Sequence, residues 1–523
     1  SLDFFNQAIA LNPTFAATYF DLANLFEERK LYDDALTVYD RLISLMPKNT
    51  DAYIYKGNLL HSIDRYSEEL DNYDKAIDLG LNVKLILGRK LRSLMYLNDW
   101  ENFDSLVEEI INQTNLGLAV ANPFTLLSVI DNPALIKKSV EQYTNFINPN
   151  KNVITSIEKV KKHKKISIAF FSSDFYDHAI MHLISDVLQN LDRDRFKYIG
   201  VSFSPVTDDQ GHNIAKNAFE EFVHISYETD EEIIKLSKEM KIDIAVDLNG
   251  YTANNRSTIF AHRIAPIQIN YLGFPATMGA NYYDYIIADK TIIPAEQKKF
   301  YTEKVIYLPN CYQPNQKKLK ISSKNFTKKE FGLPDNGFIY CCFNSNSKIT
   351  PRIFDLWMRI LCEVKGSVLW LLKTNEKSTR NLLKEAEKRK INPGRIIFAP
   401  PLPIDLHLKR ISYADLFLDT FPYNAHTTSS DSLRMNVPVI TLCGETFSSR
   451  VAASLLTSLN MDELITYNEQ SYKNLAIKLG TERDEFKKIR KSLHQNLKLT
   501  SLFDPKLFAR DLESIFENIY SNL

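Results

Sequence analysis

The sequence predicts an α/β protein in which an all-α repeat array precedes two doubly wound, Rossmann-like domains. Segments near the N-terminus recur at a spacing of 34 residues. After residue 165, short apolar runs alternate with helical stretches, which is the pattern of parallel sheets covered on both faces. The polar segment "QPNQKKLKISSKNFTKKEFGLPDNG" divides these runs into two groups. Two sheet domains with a cleft between them are therefore expected.

The N-terminal repeats have the period of tetratricopeptide helix pairs. "YDDALTVYDRLISLMP" (32–47) aligns with "YSEELDNYDKAIDLGL" (66–81). Such repeats bury their apolar faces only against neighbouring repeats. Because residue 1 falls inside a repeat, we expect an array that is truncated at the N-terminus, with further repeats upstream in the natural protein. Residues 1–81 are assigned to the repeats and 82–160 to a helical extension or linker without the period.

The two groups of apolar runs predict the positions of the sheet domains. "ISIAFF" to "VIYLP" predict strands of an N-terminal domain over 161–325, and "FIYCCF" to "PVITL" predict strands of a C-terminal domain over 326–500. Ligands of doubly wound sheets bind beyond the carboxyl ends of the strands. The last segment, 501–523, is predicted to be a helix with Asp504 as N-cap and Pro505 in its first turn. We expect this helix to pack back on the N-terminal sheet domain.

Composition and charge argue against several classes of function. Lysine plus arginine (64) balances aspartate plus glutamate (64), so the chain lacks the basic field of a nucleic-acid-binding protein. The five cysteines lack CxxC spacing, which argues against disulfides and zinc. A DxD at 192–194 lies in the charged segment "LDRDRF" and is typical of a solvated turn. No stretch reaches the ~20 apolar residues of a membrane span, and the N-terminus lacks a signal-peptide pattern; we therefore expect a cytoplasmic protein.

The turn "NAHTTSSDSL" (424–433) is the first candidate binding site. It follows the strand-like "LFLDT" and brings His426, Thr427 and Thr428 to the start of a predicted helix. The free backbone N–H groups and the charge of about +0.5 at a helix start suit a phosphate or diphosphate. Asp431, one turn further on, could accept a hydrogen bond from a ribose hydroxyl. Ordinary helix capping is the alternative interpretation.

Three further segments carry candidate side chains near strand ends. His178 stands where the first strand runs into a helix, which is a place for a general base. Lys348, in "CCFNSNSKITP", lies between a strand and a helix opened by Thr350, where its charge would stabilise a departing diphosphate. His407 and Arg410 share one helical face after "FAPPLP". They suit recognition of a base or ribose or, alternatively, form a surface pair.

These segments resemble the catalytic half of O-GlcNAc transferases, the tetratricopeptide-bearing glycosyltransferases of the GT-B fold. The resemblance covers the repeats and nearly all of residues 166–520, through motifs in the same order such as "SSDFYDHAIMHL", "DLNGYTANNR", "CCFNSNSKITP", "NAHTTSSDSL" and "GETFSSRVAASLL". It implies an inverting, metal-independent transferase without a cofactor, which moves N-acetylglucosamine from UDP-GlcNAc to Ser or Thr hydroxyls of proteins. Acceptor proteins would bind along the tetratricopeptide groove and the cleft.

The same resemblance assigns roles to individual residues. It implies His178 as the active-site base and Lys348 as the diphosphate-binding lysine. Thr427 and Thr428 would hold the phosphates, and Asp431 would bind the ribose. The other donor-binding residues that it implies are His407 and Arg410 beside the base and ribose, His426 near the donor sugar, Gly273 in a loop that lines the sugar site, and Leu402, which would bind the nucleotide sugar.

Some positions depart from the family pattern and leave alternatives open. Ser345 and Ser347 replace a glutamine and a tyrosine of animal members, Ile404 stands at a lysine position, and Tyr423 stands at a cysteine position near the donor N-acetyl group. The Spindly relatives share this framework and transfer fucose from GDP-fucose, so a protein O-fucosyltransferase is one alternative. The His-Thr-Thr and Asp pattern of "AHTTSSDSL" favours N-acetylglucosamine. The other alternative is an inactive repeat scaffold that binds a nucleotide or a partner protein.

Overall fold

The computed structural model describes the chain in four stretches, residues 2–80, 85–149, 164–204 and 206–522. The chain divides into two compact units, Ser1–Ala121 and Asn122–Leu523. The predicted boundaries after residues 81 and 160 and most of the "VKKHKK" segment lie outside the described residues. No helix in the described stretches is both long and apolar enough to cross a membrane.

The first unit consists of helices that pack against their neighbours along the chain. Tyr39 and Tyr73 occupy equivalent positions of the repeat, and both are fully buried. Each hydroxyl donates to the preceding helix, that of Tyr39 to Glu27 (3.0 Å) and that of Tyr73 to Asn58 (2.9 Å). The predicted helical repeat is thus confirmed by its packing. The helices are α1 (Leu2–Leu11), α2 (Ala16–Glu28), α3 (Tyr32–Leu45), α4 (Thr50–Ser62), α5 (Tyr66–Asp78), α6 (Ile86–Leu97) and α7 (Phe103–Asn115).

The second unit begins with two helices and continues into a parallel sheet. The helices of this part are α8 (Pro123–Leu126), α9 (Pro133–Ile147), α10 (Ala179–Gln189), α11 (Gln210–Ala218) and α12 (Asp230–Glu239). The strands are β1 (Ile166–Ser172), β2 (Phe196–Ser202), β3 (Glu221–His224), β4 (Ile244–Asp247), β5 (Ile267–Asn270), β6 (Tyr285–Ala288) and β7 (Lys304–Tyr307). Their order is β3-β2-β1-β4-β5-β6-β7, so β2 and β3 lie on one side of β1 and the later strands lie on the other. A doubly wound sheet opens a crevice for a ligand at such a switch, here between β1 and β4.

A second parallel sheet follows, with strand order β10-β9-β8-β11-β12-β13. Its strands are β8 (Ile339–Cys342), β9 (Val368–Leu372), β10 (Ile396–Ala399), β11 (Leu416–Leu418), β12 (Val439–Leu442) and β13 (Ile465–Thr466). The accompanying helices are α13 (Pro351–Glu363), α14 (Glu376–Lys388), α15 (Ile404–Ile411), α16 (Thr427–Arg434), α17 (Val451–Ser458), α18 (Glu469–Thr481) and α19 (Arg483–Asn496). The apolar runs had not indicated β3, β5 or β13.

The last helix, α20 (Pro505–Ser521), packs against the first sheet. Asp504 caps it by accepting from the backbone N–H of Lys506 (3.1 Å). Phe516 is fully buried, and its ring meets that of Phe170 in β1 at 6.3 Å. Glu513 accepts from the backbone N–H of Asp192 at 2.5 Å. The end of the chain therefore completes the core of the N-terminal sheet domain.

Candidate active site

The two sheet domains contribute walls to a common cleft. A cavity of about 290 Å³ lies between α10 of the first domain and α15 of the second. The segment that joins the domains crosses this region, where Gln316 Nε2 donates to Ser185 of α10 (2.6 Å). The carbonyl of Gln316 accepts from Arg434 of α16. Side chains from both domains therefore line this cavity.

The turn between β11 and α16 is organised by the buried carboxylate of Asp419. It accepts from the backbone N–H groups of Thr420 (2.8 Å) and Ala425 (2.6 Å) and from the hydroxyl of Thr441 (2.7 Å). Burial raises the pKa of Asp419 to about 7, and these hydrogen bonds and Lys348 oppose the shift. Sequence reasoning missed Asp419, although "LFLDT" places an acidic residue directly after an apolar strand.

Lys348 lies directly over this turn. Its Nζ donates to the carbonyl of Asn424 (3.0 Å) and lies 3.9 Å from the centre of the Tyr423 ring. Burial lowers the pKa of Lys348 to about 8, and nearby Asp419 opposes part of the shift. An anion that binds here would favour the charged ammonium, because an opposite charge raises the pKa of an amine. Lys348 is thus placed to pair with a phosphate.

Helix α16 begins at the residues predicted for phosphate binding. His426 precedes the helix, and Thr427 and Thr428 form its first turn. The Thr428 hydroxyl donates to the buried side chain of Asn344, which in turn donates to Thr420 (2.7 Å). The Thr427 side chain is partly exposed. The helix therefore begins three residues after Asn424, whose carbonyl accepts from Lys348, and a helix N-terminus suits an anion.

One ring nitrogen beside this turn, His426 Nε2, is buried without a hydrogen-bond partner among the described residues. His426 stacks on Tyr423 with ring centres 4.8 Å apart, and its Nε2 has no partner. Burial, and then Lys348, lower the pKa of His426 well below its usual value. Burial raises the pKa of the Asp431 carboxyl to about 7, and nearby Arg434 opposes the shift. Buried polar atoms are normally paired, so His426 Nε2 suits a hydroxyl of a polar ligand.

His407 and Arg410 lie together on α15 and contact each other; their place beside the base and ribose remains a prediction. Arg410 is only 1% exposed, and it donates from Nε to His407 Nδ1 (2.9 Å) and from a terminal nitrogen to the carbonyl of Pro400. Burial, and then Arg410, lower the pKa of His407 to about 3. His407 is therefore neutral, and its Nε2 carries the proton. Arg410 orients this ring, and Leu402 lies partly exposed in the preceding loop.

His178 lies at the first sheet, as the N-cap of α10. Its Nδ1 is 3.7 Å from Asp174 Oδ2, and its side chain is 39% exposed. Asp174 is held by the amide of Asn249 (2.8 Å). Burial raises the pKa of Asp174, and His178 opposes the shift. Hydrophobic patterning does not single out this acidic partner; its signal is an aspartate four residues before the histidine.

Gly273 follows β5 and lies where two loops make their closest approach. A Cβ atom at this position would lie 2.0 Å from the carbonyl oxygen of Leu248, which follows β4. The backbone contact alone therefore requires glycine here. The role in lining the sugar site, which the resemblance implies for Gly273, remains a prediction.

Comparison with known proteins gives one family. The model of glycosyl transferase family 41 matches residues 146–319 and 313–512. A protein of Arabidopsis thaliana named probable UDP-N-acetylglucosamine–peptide N-acetylglucosaminyltransferase SEC is 32% identical over 365 residues, which are 68% of this chain and 37% of the relative. Another from the same plant, with the same enzyme name and called SPINDLY, is 29% identical over 379 residues, 70% of this chain and 41% of the relative. The chain thus spans about two fifths of the length of these relatives.

A solved structure shares the fold. The chain superimposes on a mutant O-GlcNAc transferase of Thermobaculum terrenum with a TM-score of 0.81 at 23% sequence identity, over 97% of this chain and 98% of that one. Together with the two doubly wound sheets, this likeness confirms the predicted GT-B fold preceded by repeat helices.

Proposed function

The chain belongs to glycosyl transferase family 41, and from this premise we propose that it transfers N-acetylglucosamine from UDP-GlcNAc to Ser or Thr hydroxyls of proteins, with inversion and without a metal ion. The observation that carries the proposal is the turn before α16. There the amine of Lys348 lies over Asn424 and Tyr423, His426 has a buried ring nitrogen without a partner among the described residues, and helix α16 begins at Thr427. This combination suits a nucleoside diphosphate that carries a polar sugar.

The residues of the cleft divide the reaction between the two domains. Lys348 and the start of α16 would stabilise the negative charge that develops on the departing UDP. His178 would take the proton of the acceptor hydroxyl, and the Asp174 carboxylate at 3.7 Å would stabilise the resulting imidazolium. Neutral His407 would present its Nε2–H to the base or ribose, while Asp431 would accept from a ribose hydroxyl. Leu402 would contact the nucleotide from its loop.

Metal independence is proposed from the charges at this site. Lys348 and a helix start supply positive potential where a metal ion would otherwise act. In the DxD at 192–194, the Asp192 carboxylate already accepts from Arg195 Nε (2.7 Å) and from the backbone N–H of Asp194 (2.8 Å). Activity lost in EDTA and restored by manganese would refute this part of the proposal.

Acceptor binding and location complete the proposal. The names of the relatives specify peptide acceptors, and we extend this to protein segments bound along the tetratricopeptide groove and into the cleft. Repeat arrays commonly form extended concave binding surfaces. The proposed location is the cytoplasm, which suits the free thiols of Cys311, Cys341 and Cys342 buried in the core.

The donor sugar separates the proposal from its alternative. Tyr423 stacks directly on His426, so the cysteine position that the resemblance associates with the N-acetyl group is filled by a large ring. This observation favours a second candidate, protein O-fucosylation from GDP-fucose. Intact-protein mass spectrometry of a host-cell lysate fraction incubated with the chain and either UDP-GlcNAc or GDP-fucose distinguishes the two.

We expect a HexNAc-sized increment that is absent with Lys348→Ala. A deoxyhexose increment from GDP-fucose would move the chain to the fucosyl branch. If the chain gives no increment while a family 41 enzyme modifies the same fraction, the inactive scaffold becomes the better reading. A thermal-shift experiment with UDP and GDP supports the assay, because ligand at about 100 times its Kd stabilises a protein by ~2.7 kcal/mol.

A further inference from the structure

Asp131 lies outside both sheets, between α8 and α9, and its carboxylate holds a loop of the second sheet domain. It accepts from the backbone N–H groups of Glu445 (3.0 Å) and Thr446 (2.9 Å). It also accepts from the hydroxyls of Thr446 (2.9 Å) and Ser449 (2.7 Å). One carboxylate thus pairs with four donors of the short loop that follows β12, which we call the 444–449 loop.

The junction between Asp131 and this loop is closely packed. A Cβ atom at Gly444 would lie 2.3 Å from Asp131 Oδ2 and 2.6 Å from Ser449 Oγ. The backbone N–H of Gly444 donates to the carbonyl of Ser449 (3.0 Å), which closes the loop on itself. A larger residue at position 444 would displace the carboxylate of Asp131, so Gly444 offers a second way to break the same contact.

The 444–449 loop reaches the candidate active site through Asn424. The carbonyl of Ser448 accepts from the backbone N–H of Asn424 (3.0 Å). The carbonyl of Asn424 accepts from Lys348 Nζ (3.0 Å). Asn424 is fully buried and also donates from its side chain to the carbonyl of Thr420 (2.9 Å). A continuous series of contacts therefore connects Asp131 with the amine of Lys348.

Phe124 of α8 provides a second contact from the same segment. Its ring meets that of Tyr423 edge-on, with centres 5.9 Å apart and planes at 72°. Tyr423 in turn lies under the Lys348 amine and stacks on His426. The segment that carries Phe124 and Asp131 thus supports the turn before α16 at two points.

We infer that Asp131 is a positioning residue for the transfer reaction, which acts through the 444–449 loop to hold the carbonyl of Asn424 where it directs the Lys348 amine toward the donor diphosphate. The inference rests on the proposed function for the identity of the donor. Asparagine in place of Asp131 would turn one acceptor oxygen into an N–H donor that faces other donors. The loop, the Asn424 turn and Lys348 would then lose their fixed arrangement.

A double-mutant cycle on the full chain tests this inference. UDP affinity is measured by calorimetry for the unmodified chain, Asp131→Asn, Lys348→Ala and the double variant. We expect Asp131→Asn to weaken binding by about tenfold or more, since small displacements of binding groups have large effects. In the Lys348→Ala background it should change affinity by less than about twofold, because a residue that acts through Lys348 has nothing left to position. Equal factors in both backgrounds would overturn the inference.

Two further variants separate positioning from general damage. Glu141→Gln on α9 removes a carboxylate from the same segment, one whose nearest cation, Lys137, is 4.0 Å away, and it should leave UDP affinity unchanged. Gly444→Ala should reproduce the non-additive pattern of Asp131→Asn while position 131 remains an aspartate. If Gly444→Ala binds UDP as tightly as the unmodified chain, the loop does not position Lys348.

A measurement without nucleotide distinguishes failure of this inference from failure of the proposed function. The titration of Lys348 is followed by NMR on ¹³C-methylated lysines, with the signal assigned by its loss in Lys348→Arg. In Asp131→Asn the amine should become more accessible to water, and its midpoint should rise from about 8 toward the ordinary value of 10.5. If the unmodified chain binds no UDP, the proposed function fails, and an unchanged Lys348 midpoint in Asp131→Asn would still overturn the positioning role.

Discussion

Because burial lowers its pKa to about 8, Lys348 changes its charge near that pH. Its pKa of about 8 leaves the amine charged below that pH and neutral above it. A bound diphosphate favours the charged form, so binding above about pH 8 must take up a proton. We therefore expect UDP affinity to fall as pH rises through 8, and the calorimetric enthalpy to depend on the buffer's heat of ionisation.

Lys348→Arg is the matched control for this pH dependence, because a guanidinium stays charged throughout the range. Its UDP affinity should be weaker overall, since a planar guanidinium places its N–H donors differently from an ammonium. Above pH 8 the proton uptake should disappear. Proton uptake that persists in Lys348→Arg would assign the effect to another group; burial also raises the pKa of Asp431 to about 7.

Asp174 is expected to act on the chemical step and not on donor binding. Its carboxylate is 3.7 Å from His178 Nδ1. Asp174→Asn removes the charge that would stabilise an imidazolium, so we expect kcat to fall by about tenfold to a hundredfold with the donor KM little changed. His178→Ala should cost ~10²- to 10⁴-fold if it is a general base. In that background Asp174→Asn should add almost nothing; a full additional loss would mean that Asp174 acts independently of His178.

The sequence predicts those site residues whose role follows from their local position in the chain, and it misses those whose role depends on distant contacts. His178, Thr427 and Lys348 stand at strand-to-helix junctions, and hydrophobic patterning locates those junctions. Asn344 and Asn424 were missed because their contacts join residues 76 or more positions apart. Nothing in the local pattern of either asparagine specifies such a partner.

Among the structural elements, the strands that sequence patterning missed are those with polar residues inside them. In β5, Gln268 interrupts the apolar run, yet it is fully buried. Its amide nitrogen donates to the carbonyls of Phe260 (2.8 Å) and Tyr282 (2.6 Å). β3, "EFVH", is an edge strand whose residues are only partly buried. Long apolar strands such as β1 were predicted because both of their faces are covered.

Gly273 provides a test at the level of the two loops that follow β4 and β5. Alanine there would place Cβ 2.0 Å from the carbonyl oxygen of Leu248, so one loop must move. We expect Gly273→Ala to lower the free energy of unfolding by about 1–3 kcal/mol, the usual cost of overpacking. Chemical denaturation measures this change. Gly394→Ala, at an exposed site where a Cβ meets only a side-chain oxygen at 3.3 Å, should change stability much less; equal losses would contradict the close-approach argument.

On the scale of the whole molecule, the sequence predicts the succession of parts. The 34-residue period and the two groups of apolar runs correspond to the helical unit and the two sheets. The division between the two compact units falls between Ala121 and Asn122, within the predicted extension. α8 and α9 belong with the sheets because Thr144 of α9 donates to the carbonyl of Met278 (3.0 Å), a contact that no periodic pattern encodes.

The division into two units predicts that acceptor recognition and donor chemistry are separable. The residues proposed to bind and activate the donor all lie in the unit Asn122–Leu523, whereas the repeats lie in the other. Deleting residues 1–80 should therefore lower the rate of glycosylation of a protein acceptor by at least about tenfold while UDP affinity and slow donor hydrolysis change less than about twofold. The repeats are proposed to bind the acceptor over many weak contacts, so a short peptide acceptor should lose less than a full-length protein. Circular dichroism and the UDP affinity of the shortened chain report whether its sheet unit is intact. Equal losses in donor hydrolysis and protein glycosylation, with UDP affinity retained, would show that the repeats contribute to the chemistry itself.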